Sequence, residues 1–276
     1  MSNMNQLFDN YQANKTSLKR RISKALEYGW IDETRCKEFY DKLENDILTI
    51  GVIGQMKCGK SSFLNTFVLD NEILPSATTP MTAALSIITY GETEKLVAEF
   101  YSEEEWEEMK VQAARSTEDV SGNSLQESKI QAARDLVAKS ARLGKALPEL
   151  LKEGTVEDSL LNLAEYVGAN GKYVAVTKAV TIFYPKESLK GVEIVDTPGF
   201  NDPIVSREER TKLFLQKADV VVLMLYAGRP FDATDRDILF QNVRQCGIGK
   251  VLIAINKYDI PYEQGDSERM IVDYVE

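Results

Sequence analysis

The run Gly54-Gln55-Met56-Lys57-Cys58-Gly59-Lys60-Ser61-Ser62 places two glycines five residues apart and follows them with a lysine and a hydroxyl. It comes directly after the apolar stretch "ILTIGVIG" and opens the amphipathic stretch "SSFLNTFVL". That is the strand–loop–helix context of a phosphate-binding loop. The glycines let successive backbone N–H groups curl round a phosphate, and the helix N-terminus adds favourable partial charge. In such a loop Lys60 reaches the β- and γ-phosphates and the Ser61 hydroxyl ligates Mg²⁺. A second cluster, Asp196-Thr197-Pro198-Gly199, closes the strand-like "VEIVD". A carboxylate there can hold Mg²⁺ through water, and Gly199 lets a backbone N–H approach a γ-phosphate. The third, Asn256-Lys257-Tyr258-Asp259, follows "KVLIAI". The Asp259 carboxylate can accept from both N1 and the exocyclic amine of guanine, a donor pair that adenine lacks. Asn256 would brace the loop and the Lys257 stem would cover the base. In this order the three clusters specify GTP or GDP with Mg²⁺.

Composition narrows the chemistry further. The chain has no histidine, which excludes imidazole acid–base catalysis and histidine metal ligation. Its formal net charge of −10 argues against a nucleic-acid-binding face. The charge is concentrated: 17 acidic and 9 basic residues lie between Glu92 and Asn170. Three cysteines without paired spacing (Cys36, Cys58, Cys246) suggest neither a disulfide framework nor a zinc site, and fit a reducing cytoplasm. Cys58, flanked by lysines, reads as a small side chain the loop can accommodate rather than a reactive thiol.

The elements that must position these residues follow from periodicity. Residues 3 to 46 read as helical. Met4, Leu7, Tyr11, Leu18, Ile22, Ala25 and Leu26 form a stripe, Gly29 breaks it, and Asp32 can cap a restart carrying Phe39, Tyr40 and Leu43. From residue 47 the pattern alternates strand and helix, which predicts an α/β fold: a P-loop domain with a mostly parallel sheet covered on both faces. "DVVVLMLY" and "KVLIAIN" are apolar runs suited to fully covered strands. Residues 103 to 168 read as a mostly helical, acidic insertion, either a solvated decoration or a partner-docking arm. The domain division is therefore 1–46 and 47–276. The second part is expected to end inside its own domain, a strand and a helix short.

The 142-residue separation between Gly54 and Asp196 leaves room for that insertion. With it, the sequence resembles the dynamin superfamily, and specifically its bacterial dynamin-like GTPases, with the LeoA type as the branch suggested. The resemblance is carried by "GQMKCGKSSFLNTFV", "ILPSATTPMTAALSIITYG", "AVTIFYPKESLKGVEIVDTPGF" and "AGRPFDATDRDILFQNVRQCGIGKVLIAINKYD". It covers residues 47 to 260 apart from the insertion. It makes Thr82, seven residues after Pro75, the switch threonine that ligates Mg²⁺ and helps place the attacking water; Thr78 or Thr79 would take over if the register slipped. It also implies that residues 1–46 pack into a helical bundle.

Two loop positions depart from eukaryotic dynamins, whereas the glutamine used by small GTPases is one that dynamin-like proteins also lack. Small GTPases orient water with a glutamine where this chain has Phe200, and eukaryotic dynamins carry Gln and Ser where it has Met56 and Lys57. The related guanylate-binding proteins place an arginine finger at the position of Lys57. The resemblance therefore implies that Lys57 either supplies positive charge in cis or points to solvent. Catalysis is expected of Lys57, Lys60, Thr82 and Gly199. The resemblance further implies GTP hydrolysis on homodimerisation through the GTPase domain. It implies membrane remodelling through lipid contacts beyond residue 276, at the inner face of the membrane. A nucleotide-gated scaffold with little turnover, or a regulatory switch, are the alternatives.

Overall fold

A computed structural model describes residues 2–45, 47–55, 57–75, 84–116, 124–168, 170–197, 215–229, 231–243 and 250–275. The chain forms two compact units, Met1–Leu48 and Thr49–Glu276.

The first unit is a helical hairpin, α1 (Ser2–Glu27) and α2 (Glu33–Asn45). Gly29 turns the chain at a φ of 67°, a conformation that costs glycine little. The Asp32 carboxylate then accepts the Arg35 N–H at 2.7 Å and caps the restart. Polar contacts join the two helices: Ser23 Oγ lies 2.6 Å from the Tyr40 hydroxyl, and that hydroxyl donates to the Lys19 carbonyl at 3.1 Å. A Lys19–Glu44 ion pair lies on the same seam. Two helices cannot enclose a core. Among the described residues of this unit Cys36 is the buried apolar side chain, while Leu18, Trp30 and Phe39 remain exposed.

The second unit is built on one eight-stranded sheet. Its strands are β1 (Leu48–Gly54), β2 (Leu85–Tyr90), β3 (Lys95–Phe100), β4 (Thr155–Asp158), β5 (Thr177–Tyr184), β6 (Val192–Asp196), β7 (Val220–Tyr226) and β8 (Val251–Asn256). The order across the sheet is β4-β3-β5-β2-β6-β1-β7-β8. β1, β7 and β8 run parallel, as do β2 and β5, with antiparallel joins at β2–β6, β3–β5 and β3–β4. This is the mixed α/β, mostly parallel architecture expected of a P-loop GTPase domain. Continuous Val/Ile/Leu runs in β1 and β7 suit strands buried on both faces: Val52, Ile53, Leu223 and Met224 are almost fully buried. Ile53 and Leu223 also face each other in the parallel register.

Two elements differ from the sequence-based expectation. After α3 (Lys60–Phe63), the stretch 103–168 is largely helical, with α4 (Glu103–Ala114), α5 (Ser124–Ser140), α6 (Leu147–Glu153) and α7 (Leu163–Val167), but it also supplies β4. Four residues with one apolar side chain, "TVED", are too short a pattern to announce a strand; antiparallel pairing with Leu96–Glu99 makes one. The run in β8, the last strand in the sheet order, is not covered on both faces: Leu252 and Ile253 are 61% and 55% exposed. α4 is well specified locally. Ser102 and Glu105 form a reciprocal capping box, and Trp106 and Met109 bury its inner face.

Candidate nucleotide site

The three motifs meet at one end of the parallel strands. β1 ends in Gly54, whose φ of 149° brings a would-be Cβ to 2.5 Å from the Met224 carbonyl. The helix behind the loop starts at Lys60, is α-helical to Phe63, and continues with a wider π-type pitch to Leu69. The Lys60 ammonium is buried and donates to the carbonyls of Gly54 and Gln55 at 3.0 and 3.1 Å, so it is folded back across the mouth of the loop. Ser61 Oγ donates to Asp196 Oδ2 at 3.2 Å. Thr197 ties the end of β6 to β1 through its hydroxyl and its N–H, both given to the Val52 carbonyl.

Asp196 is fully buried, and among the described residues its Oδ1 has no hydrogen-bond partner. Burial pushes its carboxyl up to about 6, although the Lys60 charge and the Ser61 hydrogen bond act in the other direction. A buried carboxylate oxygen without a partner, next to a serine hydroxyl, fits a hard divalent cation. Ser61 and Asp196 are the residues that would hold Mg²⁺, Asp196 through water. The ion would supply charge neutralisation at the phosphates.

Asn256 reaches across from the end of β8. Its Nδ2 donates to the Cys58 carbonyl at 3.0 Å, and its Oδ1 accepts the Lys257 N–H at 2.8 Å. The approach is so close that a Cβ on Gly59 would lie 2.2 Å from Asn256 Nδ2, and Gly59 has a φ of 95°. Both facts require glycine there. Lys257 sits at a positive φ of 59° with its ammonium 6.0 Å from the Tyr226 ring centroid. Asp259 is exposed at the start of a helix, Asp259–Glu263.

Lys57 is exposed, at a φ of 64°, on the rim of a pocket of about 270 Å³ shared with Gln55, Cys58, Asp235 and Lys257. Cys58 is buried, and that burial pushes its thiol up despite the nearby Lys60 charge, the opposite of an activated thiolate. Ser62 is exposed on the outer side of the helix. Met56, Thr82 (with Thr78 and Thr79), Gly199 and Phe200 lie outside the described residues.

The structure adds partners that the motifs do not name. Buried Asn65 accepts the N–H groups of Ile73 and Leu74 and donates to the Leu74 carbonyl at 2.7 Å, which pins the chain leading toward the Thr82 segment. Gln55 Nε2 donates to Asp232 Oδ1 at 2.7 Å. Asp232 carried a legible signal, since Asp before "ATDRD" is a helix N-cap pattern. Its bond to Gln55 spans 177 residues and had none.

This chain is 28% identical over 261 residues to Dynamin-like protein 1 of Campylobacter jejuni, an alignment covering 93% of the chain and 31% of that protein. It is 27% identical to Dynamin-like protein A of Bacillus subtilis, covering 87% of the chain and 21% of the relative. The chain thus spans about a third or less of the length of these relatives. Its fold resembles that of a chain from an oligomerised bacterial dynamin pair, with a TM-score of 0.63, 24% identity, and coverage of 95% of this chain and 34% of the other. Residues 50–258, from the middle of β1 to just past Asn256, match the dynamin family. That span takes in the phosphate loop, the Asp196 strand end and all but the last residue of the guanine motif, and the chain belongs to the dynamin family and carries its GTPase domain.

Proposed function

We propose that this chain is the GTP-binding and GTP-hydrolysing head of a bacterial dynamin-like protein. The observation that carries the proposal is the convergence of Lys60, the Ser61–Asp196 pair and Asn256 on one loop. Together they provide a phosphate cradle, a Mg²⁺ position and a guanine-reading strand end. Lys60 and the loop amides would bind the phosphates, Ser61 and Asp196 would hold Mg²⁺ together with Thr82, and Gly199 would let a backbone N–H approach the γ-phosphate. Asp259 selects guanine while Asn256 and Lys257 shape its floor.

Hydrolysis is coupled to homodimerisation through this domain, and the cycle drives work on membranes through lipid-contacting regions outside these residues. The likeness to an oligomerised dynamin pair described as sensing and tethering membranes supports that part of the reading. Among the described residues no helix is long and apolar enough to cross a membrane. The protein acts from the cytoplasm, peripherally at the inner face of the membrane.

The nucleotide assignment is tested by Asp259→Asn. An amide cannot accept from both guanine donors, so GTP binding should weaken at least about tenfold and preference should move toward xanthine nucleotides. Titration with both nucleotides checks this, and unchanged GTP affinity would remove Asp259 from the site. Dimer coupling is checked by measuring steady-state GTP hydrolysis against protein concentration, where specific activity should rise.

A further inference from the structure

We propose that Gln55, Asp232 and Arg229 form a positioning clamp that holds the first turn of the phosphate loop, and with it the Lys60 ammonium, from the rim of the pocket that Gln55 and Arg229 help to line. The inference rests on the GTP-binding reading above. Gln55 Nε2 donates to Asp232 Oδ1 at 2.7 Å. Arg229 closes the ring, with Nε 3.0 Å from Asp232 Oδ2 and Nη2 donating to Gln55 Oε1 at 3.4 Å. The same Asp232 Oδ1 accepts the N–H groups of Thr234 and Asp235 at 2.9 and 3.1 Å, so the clamp is anchored on the N-terminus of the helix beginning at Ala233.

The other end of Gln55 faces the nucleotide chemistry. Its main-chain carbonyl is one of the two that receive the Lys60 ammonium. Gly54 before it is the last residue of β1 paired in the sheet, opposite Met224, so the clamp fixes the chain at the point where the ladder stops. A carboxylate shared by an amide, a guanidinium and a helix N-terminus provides the tether, because hydrogen bonds to a charged acceptor are the stronger class. Neither Gln55's side chain nor Asp232 needs to touch phosphate for this. They are positioning residues, and their effect should reach nucleotide affinity through Lys60.

Substitutions in the full chain separate the clamp from the helix cap. Gln55→Ala removes the clamp and leaves the cap intact. Asp232→Ser keeps a hydroxyl able to cap the helix but too short and uncharged to hold Gln55 and Arg229. Asp232→Asn keeps an acceptor oxygen for both Gln55 and the cap. Gln55→Ala and Asp232→Ser should each weaken binding of a fluorescent GTP analogue about 5- to 20-fold, scaled from loss of one charge-assisted hydrogen bond. kcat should fall less than affinity. The double variant should be no worse than the weaker-binding single, and Asp232→Asn should recover most of the affinity.

Amide hydrogen exchange on the nucleotide-free protein should show faster exchange across residues 54–60 in Gln55→Ala, with little change in melting temperature. GTP affinity and loop exchange both unchanged in Gln55→Ala, or effects that multiply in the double variant, would overturn the clamp. A wild-type chain that bound no GTP would sink the functional reading instead, and the exchange measurement would still decide the clamp.

Discussion

Lys57→Ala is expected to bind GTP almost normally and to hydrolyse it about 10²- to 10³-fold more slowly, the usual cost of removing a donor aimed at charge that develops in the transition state. Lys57 is solvent-exposed on the rim of the pocket beside the phosphate loop, so its ammonium is hydrated in the ground state and free to swing toward a phosphate. An interaction made mainly in the transition state changes kcat and leaves affinity nearly intact. The backbone is not a confounding variable, because alanine and lysine pay the same steric cost at the φ of 64°; glycine would relax the loop and is the wrong control.

Lys57→Arg should retain part of the rate, with the same charge on a planar fork of different reach. Lys60→Ala should lose binding as well, since that ammonium is built into the cradle. Added K⁺ should matter little to the wild type if the lysine supplies the charge. Single-turnover rates beside equilibrium titrations separate these outcomes. Wild-type turnover by Lys57→Ala, or strict K⁺ dependence of the native protein, would make Lys57 a bystander.

Asp196→Asn should do two opposite things. Mg²⁺ affinity in the GTP complex should fall about 10- to 100-fold, because a carboxylate that orients bound water is replaced by a neutral amide. The nucleotide-free protein should become more stable at neutral pH. Burial raises the Asp196 carboxyl from 3.8 to about 6 in the folded chain. Between those values the folded state keeps a proton that the unfolded state releases. Its contribution to stability is therefore fully present below 3.8 and is lost as pH rises through about 6. The shift corresponds to about 3 kcal/mol at neutral pH, at the usual 1.36 kcal/mol per unit. Asp196→Asn removes that penalty, so its stability should be flatter between pH 5 and 7 than the wild type's. Denaturant unfolding of nucleotide-free protein across that range checks the sign. A wild type whose stability changes between pH 5 and 7 no differently from that of Asp196→Asn would show that burial does not raise the Asp196 carboxyl.

The sequence by itself determined the local parts of this protein. A phosphate loop needs glycines at fixed spacing and a strand before it, and Gly54, Gly59 and Lys60 declare that within seven residues. The Gly29 break and the Asp32 cap were equally local and equally legible. Apolar runs announced β1 and β7, because strands covered on both faces have no polar alternation to hide them. The order of the three motifs then carried the chain to its fold class.

Tertiary structure decided what depends on groups far apart in the chain. No spacing rule relates Asn256 to Cys58, or Gln55 to Asp232; strand order sets β8 and the helix after β7 beside the phosphate loop. The Asp196 carboxyl is raised because the packed end of β6 excludes water, which the motif alone cannot express. "TVED" became a strand only by pairing with β3, and the apolar run of β8, last in the sheet order, came to be partly exposed. Motifs report the backbone a local chemistry requires, whereas burial, charge state and side-chain clamps are properties of the enclosure, and the enclosure exists only once distant segments have packed.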